Sequence, residues 1–402
     1  MGYRTQTNFV SIASVFAAVV VLGAMDSGNI VLAKIMEAFP DVPAATVRLV
    51  GTMPSVVTMV ATVLVGGVVG KRISYRTTLV LAMALIVVGG TAPVLYHSDM
   101  TALLVMRGIY GFGLGLLNCR HGYLMLVTAG EARKTVLSHM QLVQSLSALA
   151  LPIVCGWLGD IHWTYAFLPF LIGVIPLVMF ARFTKEPEIG SPEETRTEEA
   201  EPAGGKEKPS PWSRVYYLLA FVFGLAGLTW TVGMSTLLAE RGIESSAMVS
   251  VGIVACQLGG VAGGVLFKYL SGFNQKRTVP CAALSLAIGA FLMVVADSIA
   301  LTVVAGIFAG FGYLTAVISF NTYSALSTPR STVTSVTTKV LASQAVATFL
   351  TGYFIEICGN ALAFAPTFTA AAFLVSGIVM AACFVLGLVV DLGPRTPREG
   401  RG

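Results

Sequence analysis

The chain has 402 residues, of which 55% are hydrophobic and 11% charged, with a mean hydropathy of +0.81 and a formal net charge of +5. A water-soluble domain carries roughly 25% charged residues, so a soluble globular class is excluded and a lipid-embedded one is implied. The basic excess does not point to nucleic acid, because the positions of the charges account for it better.

In chain order, twelve apolar stretches are separated by short polar breaks. They run Phe9 to Val31, Val50 to Val69, Thr77 to Tyr96, Thr101 to Leu126, Val136 to Leu158, Trp163 to Phe180, Val215 to Leu238, Met248 to Phe267, Thr278 to Ala296, Ile299 to Tyr323, Thr334 to Ile357, and Phe368 to Val390. A hydrocarbon core needs about 20 apolar residues per helical span, so the predicted fold class is an all-α membrane protein with twelve transmembrane helices. The first stretch contains Asp26 and precedes eleven more, so it reads as an uncleaved first span and not as a signal peptide. Residues 183–212 break the pattern with a run of glutamates among Pro, Gly and Lys, and read as a solvated acidic cytoplasmic linker. Residues 1–182 and 213–402 are then two six-helix bundles, the second with a short cytoplasmic tail.

Twelve spans put both termini on one side of the membrane. Lys and Arg crowd that side: Arg4, Lys71, Arg72, Arg76, Arg133, Lys134, Arg182, Lys268, Lys276, Arg277, Arg330 and the tail arginines. Lys34, Arg48 and Arg241 fall on the other. The positive-inside rule therefore predicts cytoplasmic termini in a plasma (inner) membrane. The 42 glycines suit close helix packing in lipid. The six cysteines sit singly in apolar runs, without the paired spacing of a disulfide framework or zinc site, and neither metal nor cofactor is expected.

Two stretches recur. "GGVVGKRIS" from Gly66 matches "GGVLFKYLS" from Gly263, and "DMTALLVMRGIYGFG" from Asp99 matches "DSIALTVVAGIFAGFG" from Asp297, with one inserted residue before the shared Gly-Phe-Gly. The matches fall at corresponding places, the ends of the second and eighth spans and the starts of the fourth and tenth. A duplicated bundle is a transporter architecture in which two halves rock around a fixed site near the midplane.

On these residues the chain resembles the major facilitator superfamily. In the loop after the second span, Gly67, Val69, Arg72, Arg76 and Leu79 match the family's glycine and basic cluster. Lys71 stands at the family's Asp position and Ser74 at a glycine. The resemblance implies a conformational gating loop of Gly67, Lys71, Arg72 and Arg76, with Lys268 at the corresponding place in the second half. In the fourth span, Leu103, Arg107, Gly111 and Gly113 match a pattern associated with proton-coupled members. In the fifth, Pro152 and Gly156 keep fragments of the antiporter motif, and Trp163 and Phe167 match the start of the sixth.

Ionisable residues within spans cost about 2.5–3.5 kcal/mol at a helix centre and call for a reason. Asp26 is the acidic residue clearly inside; Arg107 and Arg120 are the basic ones, with His121 beside Arg120. At about 1.5 Å per residue, Asp26 lies about 26 Å along the outward-running first span and Arg107 about 9 Å along the inward-running fourth. Both fall in the outer third and can pair. Burial favours a neutral carboxyl and a neighbouring Arg a charged one, so a pathway that opens and closes can tie protonation to access. The other reading is an Asp satisfied at a helix break near Gly28 and an Arg that braces helices.

On a continuous helix Gly111, Leu114, Asn118 and His121 lie within about 40° of Arg107, and Arg120 some 140° away. Arg107, Asn118 and His121 then line one wall and Arg120 snorkels; the converse places Arg120 and Tyr123 in the cavity. Proton-coupling candidates are thus Asp26, Arg107 and His121; substrate-cavity candidates are Asn118, Arg120, Tyr123, Trp230, Asn321 and Tyr323. His139 and Lys339 read as interfacial.

No His-Glu-x-x-His, Walker or Gly-x-Ser-x-Gly pattern is present, which argues against an enzyme and against nucleotide as the energy source. The expected function is secondary active transport of a small organic solute by alternating access, by a monomer in the bilayer. Proton-coupled efflux rests on Asp26 and Arg107. Uptake or exchange of an organic anion rests on Arg120 and His121.

Overall fold

The computed structural model describes residues 2–66, 68–70, 72–128, 130–184, 186, 212–328, 333–362 and 364–393. Among them every regular element is helical. Twelve helices are long and apolar enough to cross a membrane. They are Phe9–Ile30, Ala44–Gly66, Tyr75–Leu95, Met100–Val127, Ala132–Ile161, Trp163–Phe183, Ser213–Glu240, Ser246–Gly272, Asn274–Val295, Ile299–Leu326, Ser335–Ala361 and Phe368–Val389. The chain is a multi-pass membrane protein, and the expected all-α class with twelve spans holds.

The helix ends follow from local chemistry. Ser74, Asp99, Ser298 and Thr367 each cap a helix by accepting a hydrogen bond from the backbone N–H three residues on, at Thr77, Ala102, Leu301 and Ala370. The second span starts at Ala44, six residues before the apolar run, directly after Pro43, whose fixed φ suits a first turn. This carries Arg48 from the expected outer loop into the helix, where its side chain is only 2% exposed.

Two compact units are present. One comprises residues 1–195 with Ser245–Ser250, the other residues 196–244 with 251–402. Each repeats the same helix crossing. In the first, a Cβ on Gly89 would lie 2.5 Å from the Tyr110 amide nitrogen, and one on Gly113 2.9 Å from the Ala82 oxygen. In the second, a Cβ on Gly289 would lie 2.7 Å from the Ala309 nitrogen, and one on Gly312 2.5 Å from the Ala282 oxygen. Backbones touch there because no side chain intervenes, which is how helices gain dispersion contact in lipid. The shared contacts pair Tyr110 with Ala309 and Gly113 with Gly312, a register of 199.

That register corrects one detail of the repeat. Asp99 corresponds to the cap Ser298 and not to Asp297, so no residue is inserted within the tenth helix, and Arg107 corresponds to Gly306. Gly67, Lys71 and residues 187–211 of the linker lie outside the described residues.

Replacing Gly89 or Gly289 with Leu forces backbones apart and is expected to cost about 1–3 kcal/mol each. Thermal unfolding of the purified protein should drop clearly for both. Gly66→Ala, where a Cβ meets nothing within 4 Å, should melt like the wild type.

Candidate functional site

The first span is not one continuous helix. An α-helix over Gly2–Val21 tightens into a 3-10 turn at Leu22–Ala24, and α-helical turns resume at Ser27–Ile30 and Leu32–Ala38. The Met25 amide donates to the Leu22 oxygen, three residues back, at 3.1 Å. The local sequence Gly-Ala-Met-Asp-Ser-Gly-Asn invites this, since Gly adds backbone freedom and Asp, Ser and Asn compete for backbone hydrogen bonds. Asp26 sits at the break, half-buried, and caps nothing with its side chain. Its Oδ1 accepts a 3.2 Å hydrogen bond from Asn29 Nδ2.

Arg107 faces this break from the fourth span and is fully buried. Its Nε donates to the Val50 oxygen on the second span at 2.9 Å. Its guanidinium carbon lies 4.5 Å from the Tyr110 ring centroid and 5.5 Å from that of Phe167, an arrangement favourable to a cation. Nη2 lies 3.7 Å from where a Cβ on Gly28 would stand, so the glycine leaves the guanidinium room. Tyr110 is itself held edge-on against Phe170 at 4.9 Å.

The expected Asp26–Arg107 ion pair is not formed. The two are within electrostatic reach, yet the described ion pairs do not include them and Asn29 occupies the carboxylate. Buried polar atoms with no hydrogen-bond partner occur on both elements: Ser27 Oγ and Asn29 Oδ1 at the break, and Arg107 Nη1 and Tyr110 OH on the fourth span. Leaving such groups unmade costs about 1–3 kcal/mol each, more for a charge. Tyr110 and Asn29 were missed from sequence, though each stands three residues from a residue that was not, hence on the same helix face.

The helical wheel fails at the inner end of the fourth span. The helix stops at Leu117 and restarts at Arg120; Asn118 and Cys119 donate three residues back, to Gly115 at 3.3 Å and Leu116 at 3.1 Å. This tightened turn folds Arg120 back, so that Nη1 donates to Asn118 Oδ1 at 3.0 Å and to the Leu117 oxygen at 3.2 Å. Asn118 Nδ2 donates in turn to Thr62 Oγ1 at 2.9 Å, and His121 Nδ1 lies 3.4 Å from the Asn118 oxygen. Arg120, Asn118 and His121 therefore form one cluster, and Arg120 is not turned away from Asn118 as a regular helix requires. Tyr123 is buried and packs against Tyr75, centroids 6.1 Å apart.

In the second unit the candidates are scattered. Trp230 is buried, edge-on to Phe373 at 6.1 Å, and a Cβ on Gly306 would come within 3.0 Å of its ring. Gly306 is the counterpart of Arg107, so an indole stands in the second unit where the first has a guanidinium. Asn321 Nδ2 is spent on the Val317 oxygen at 2.9 Å, and the Tyr323 hydroxyl donates to the Gln275 oxygen at 3.2 Å. Lys268, His139 and Lys339 are exposed.

Around the loop after the second span, Arg72 and Arg76 are exposed, and Gly70 takes the turn with φ of +78°. A carboxylate does reach this loop, from a residue read as linker: Glu186 accepts from the Tyr75 and Arg76 amides at 2.7 and 3.0 Å, at the start of the third span. The Arg76 guanidinium donates to the Ala181 oxygen. No signal in the sequence around either end links residues so far apart.

Among the described residues the buried charged side chains are Arg48, Arg107 and Arg120, all in the first unit. With Asp26 half-buried, the interior of that unit carries an excess of positive charge. No group of His, Cys, Asp and Glu able to hold a metal occurs among the described residues.

The chain's fold is shared with solved transporters. A bacterial homologue of the human lysosomal transporter Spinster, inward-facing and unoccupied, is 14% identical with a TM-score of 0.73, covering 99% of both chains. A D-xylose–proton symporter is 14% identical with a TM-score of 0.73, covering 97% of this chain and 99% of its own. The nucleoside transporter NupG is 12% identical with a TM-score of 0.73, covering 95% and 99%. No match was found among curated proteins. The family model described as Major Facilitator Superfamily matches residues 9–352, and with its duplicated six-helix plan the chain belongs to that superfamily of transporters.

Proposed function

We propose that the chain is a proton-coupled secondary transporter of a small organic solute, working by alternating access as a monomer in the plasma membrane with both termini in the cytoplasm. The observation that carries this reading is Asp26, a half-buried carboxylate at the break of the first span, within electrostatic reach of Arg107 but not bound to it. A carboxylate with changing access to water and to a guanidinium changes its proton affinity as both change. The D-xylose–proton symporter among the similar structures is a transporter of that coupling class.

Two directions of transport follow from different residues. Proton-coupled export of a drug-like compound needs Asp26 and a mostly apolar path. Uptake or exchange of an organic anion is the reading that the buried charges favour, because the buried charged side chains among the described residues are all arginines of the first unit. Arg120 supports it further: it is 6% exposed and its Nε has no partner.

A metabolite or drug that raises the melting temperature in a dose-dependent way supplies the transport substrate. In proteoliposomes its movement should shift internal pH, and Asp26→Asn should abolish that shift while counterflow of labelled substrate survives. Proton movement that persists in Asp26→Asn sinks the coupling role. If the substrate is an anion, Arg120→Gln should weaken binding about 10- to 100-fold, from the loss of a charged hydrogen bond; unchanged affinity removes Arg120 from the site.

Orientation is checked separately. With native cysteines replaced, Arg398→Cys should react with a membrane-impermeant thiol reagent only from the cytoplasmic side and Glu244→Cys only from outside. The reverse pattern contradicts the proposed topology.

A further inference from the structure

The unpaired atoms at the first-span break have a chemistry of their own. Arg107 Nη1 is a charged donor with no acceptor, in a side chain with no exposure. Tyr110, 1% exposed, and Ser27, fully buried, each bring a hydroxyl without a partner, and Tyr110 packs directly on the guanidinium. Nε is already spent on Val50. A buried guanidinium left half-satisfied is expensive unless a further acceptor completes it, and carboxylate is the group whose geometry its fork suits best.

We propose that Arg107, with Tyr110 and Ser27, forms an anion subsite for the carboxylate of the transported solute, and that ionised Asp26 competes with that carboxylate for the one guanidinium. This rests on the proton-coupled reading above and deepens it by naming the substrate class as an organic monocarboxylate. An anion enters fully when Asp26 is neutral, so each carboxylate bound brings one proton with it. No bond of the solute changes; an O–H bond forms on the Asp26 carboxylate as one breaks in hydronium of the solvent, and the anion is taken up with the proton that Asp26 then holds.

The other groups around the site are few. Cys155 on the fifth span is within electrostatic reach of Asp26 and Tyr110. Arg48 stands two residues before Val50 on the second span, and the sixth span presents the Phe167 and Phe170 rings. Among these Asp26 is the one carboxylate.

The test uses purified full-length protein and formate, the smallest carboxylate, with formamide as its uncharged control. Calorimetric titration between pH 5 and 8, where formate stays ionised, should show formate binding and no formamide binding. Affinity should fall with rising pH, approaching about tenfold per unit above the midpoint of Asp26, as one linked proton requires. In Asp26→Asn formate should bind with a pH-independent affinity. In Arg107→Gln binding should weaken about 10- to 100-fold, with Tyr110→Phe a milder variant for the case in which the arginine change harms folding; there a several-fold loss is expected.

No formate binding means that water alone completes Arg107, and overturns the proposal. So does equal binding of formamide, a pH-independent wild type, or a pH slope that survives in Asp26→Asn. The coupling role of Asp26 falls only if proton-linked transport survives Asp26→Asn, so the two failures are separate.

Discussion

A single hydrogen bond from Arg107 Nε to the Val50 oxygen, 2.9 Å long and wholly buried, fixes the position of the charge around which the first unit is organised. A guanidinium inside a membrane protein is tolerable only where backbone carbonyls, aromatic faces or anions replace water. Val50 supplies the carbonyl; Tyr110 and Phe167 supply the faces. Gly28 supplies room, and the break in the first span brings a half-buried carboxylate within reach without contact. The second unit meets the corresponding space with Trp230 against Gly306, so the duplicated frame carries polar chemistry in one copy and apolar packing in the other.

The frame itself depends on small residues. Gly89 with Gly113, and Gly289 with Gly312, set neighbouring helices backbone to backbone at equivalent places. Lipid gives no hydrophobic reward for bringing helices together, so close contact is the available source of stability. The rigid crossing in turn fixes where Arg107 and Tyr110, which project from the same helix, can stand.

What sequence alone made legible follows from the physics of each signal. Twelve spans were readable because hydropathy integrates over about 20 residues and tolerates local irregularity. The second match of the repeat was readable because its glycines, Gly111 with Gly310 and Gly113 with Gly312, are contact residues. The break beside Asp26 was readable as the alternative to an ion pair, from the Gly, Asp, Ser and Asn gathered there; the break at Asn118–Cys119 was not, since one tightened turn leaves hydropathy unchanged while rotating everything beyond it. That is why the wheel put Arg120 opposite Asn118 when the two are hydrogen-bonded. Arg48 was misplaced because a charge near a span end resembles a loop residue, although Pro43 marks the helix start. Glu186 reaching the start of the third span is a tertiary contact across 110 residues, beyond any local pattern.

The account turns on whether Asp26 exchanges a proton when an anion reaches Arg107. Infrared difference spectroscopy of the protein, recorded on adding formate at fixed pH, reads this without assuming a substrate or a direction of transport. Gain of a protonated-carboxyl band, shifted by isotopic labelling of aspartate and absent in Asp26→Asn, is the predicted result. A spectrum without that band, or one in which it persists in Asp26→Asn, would contradict the account.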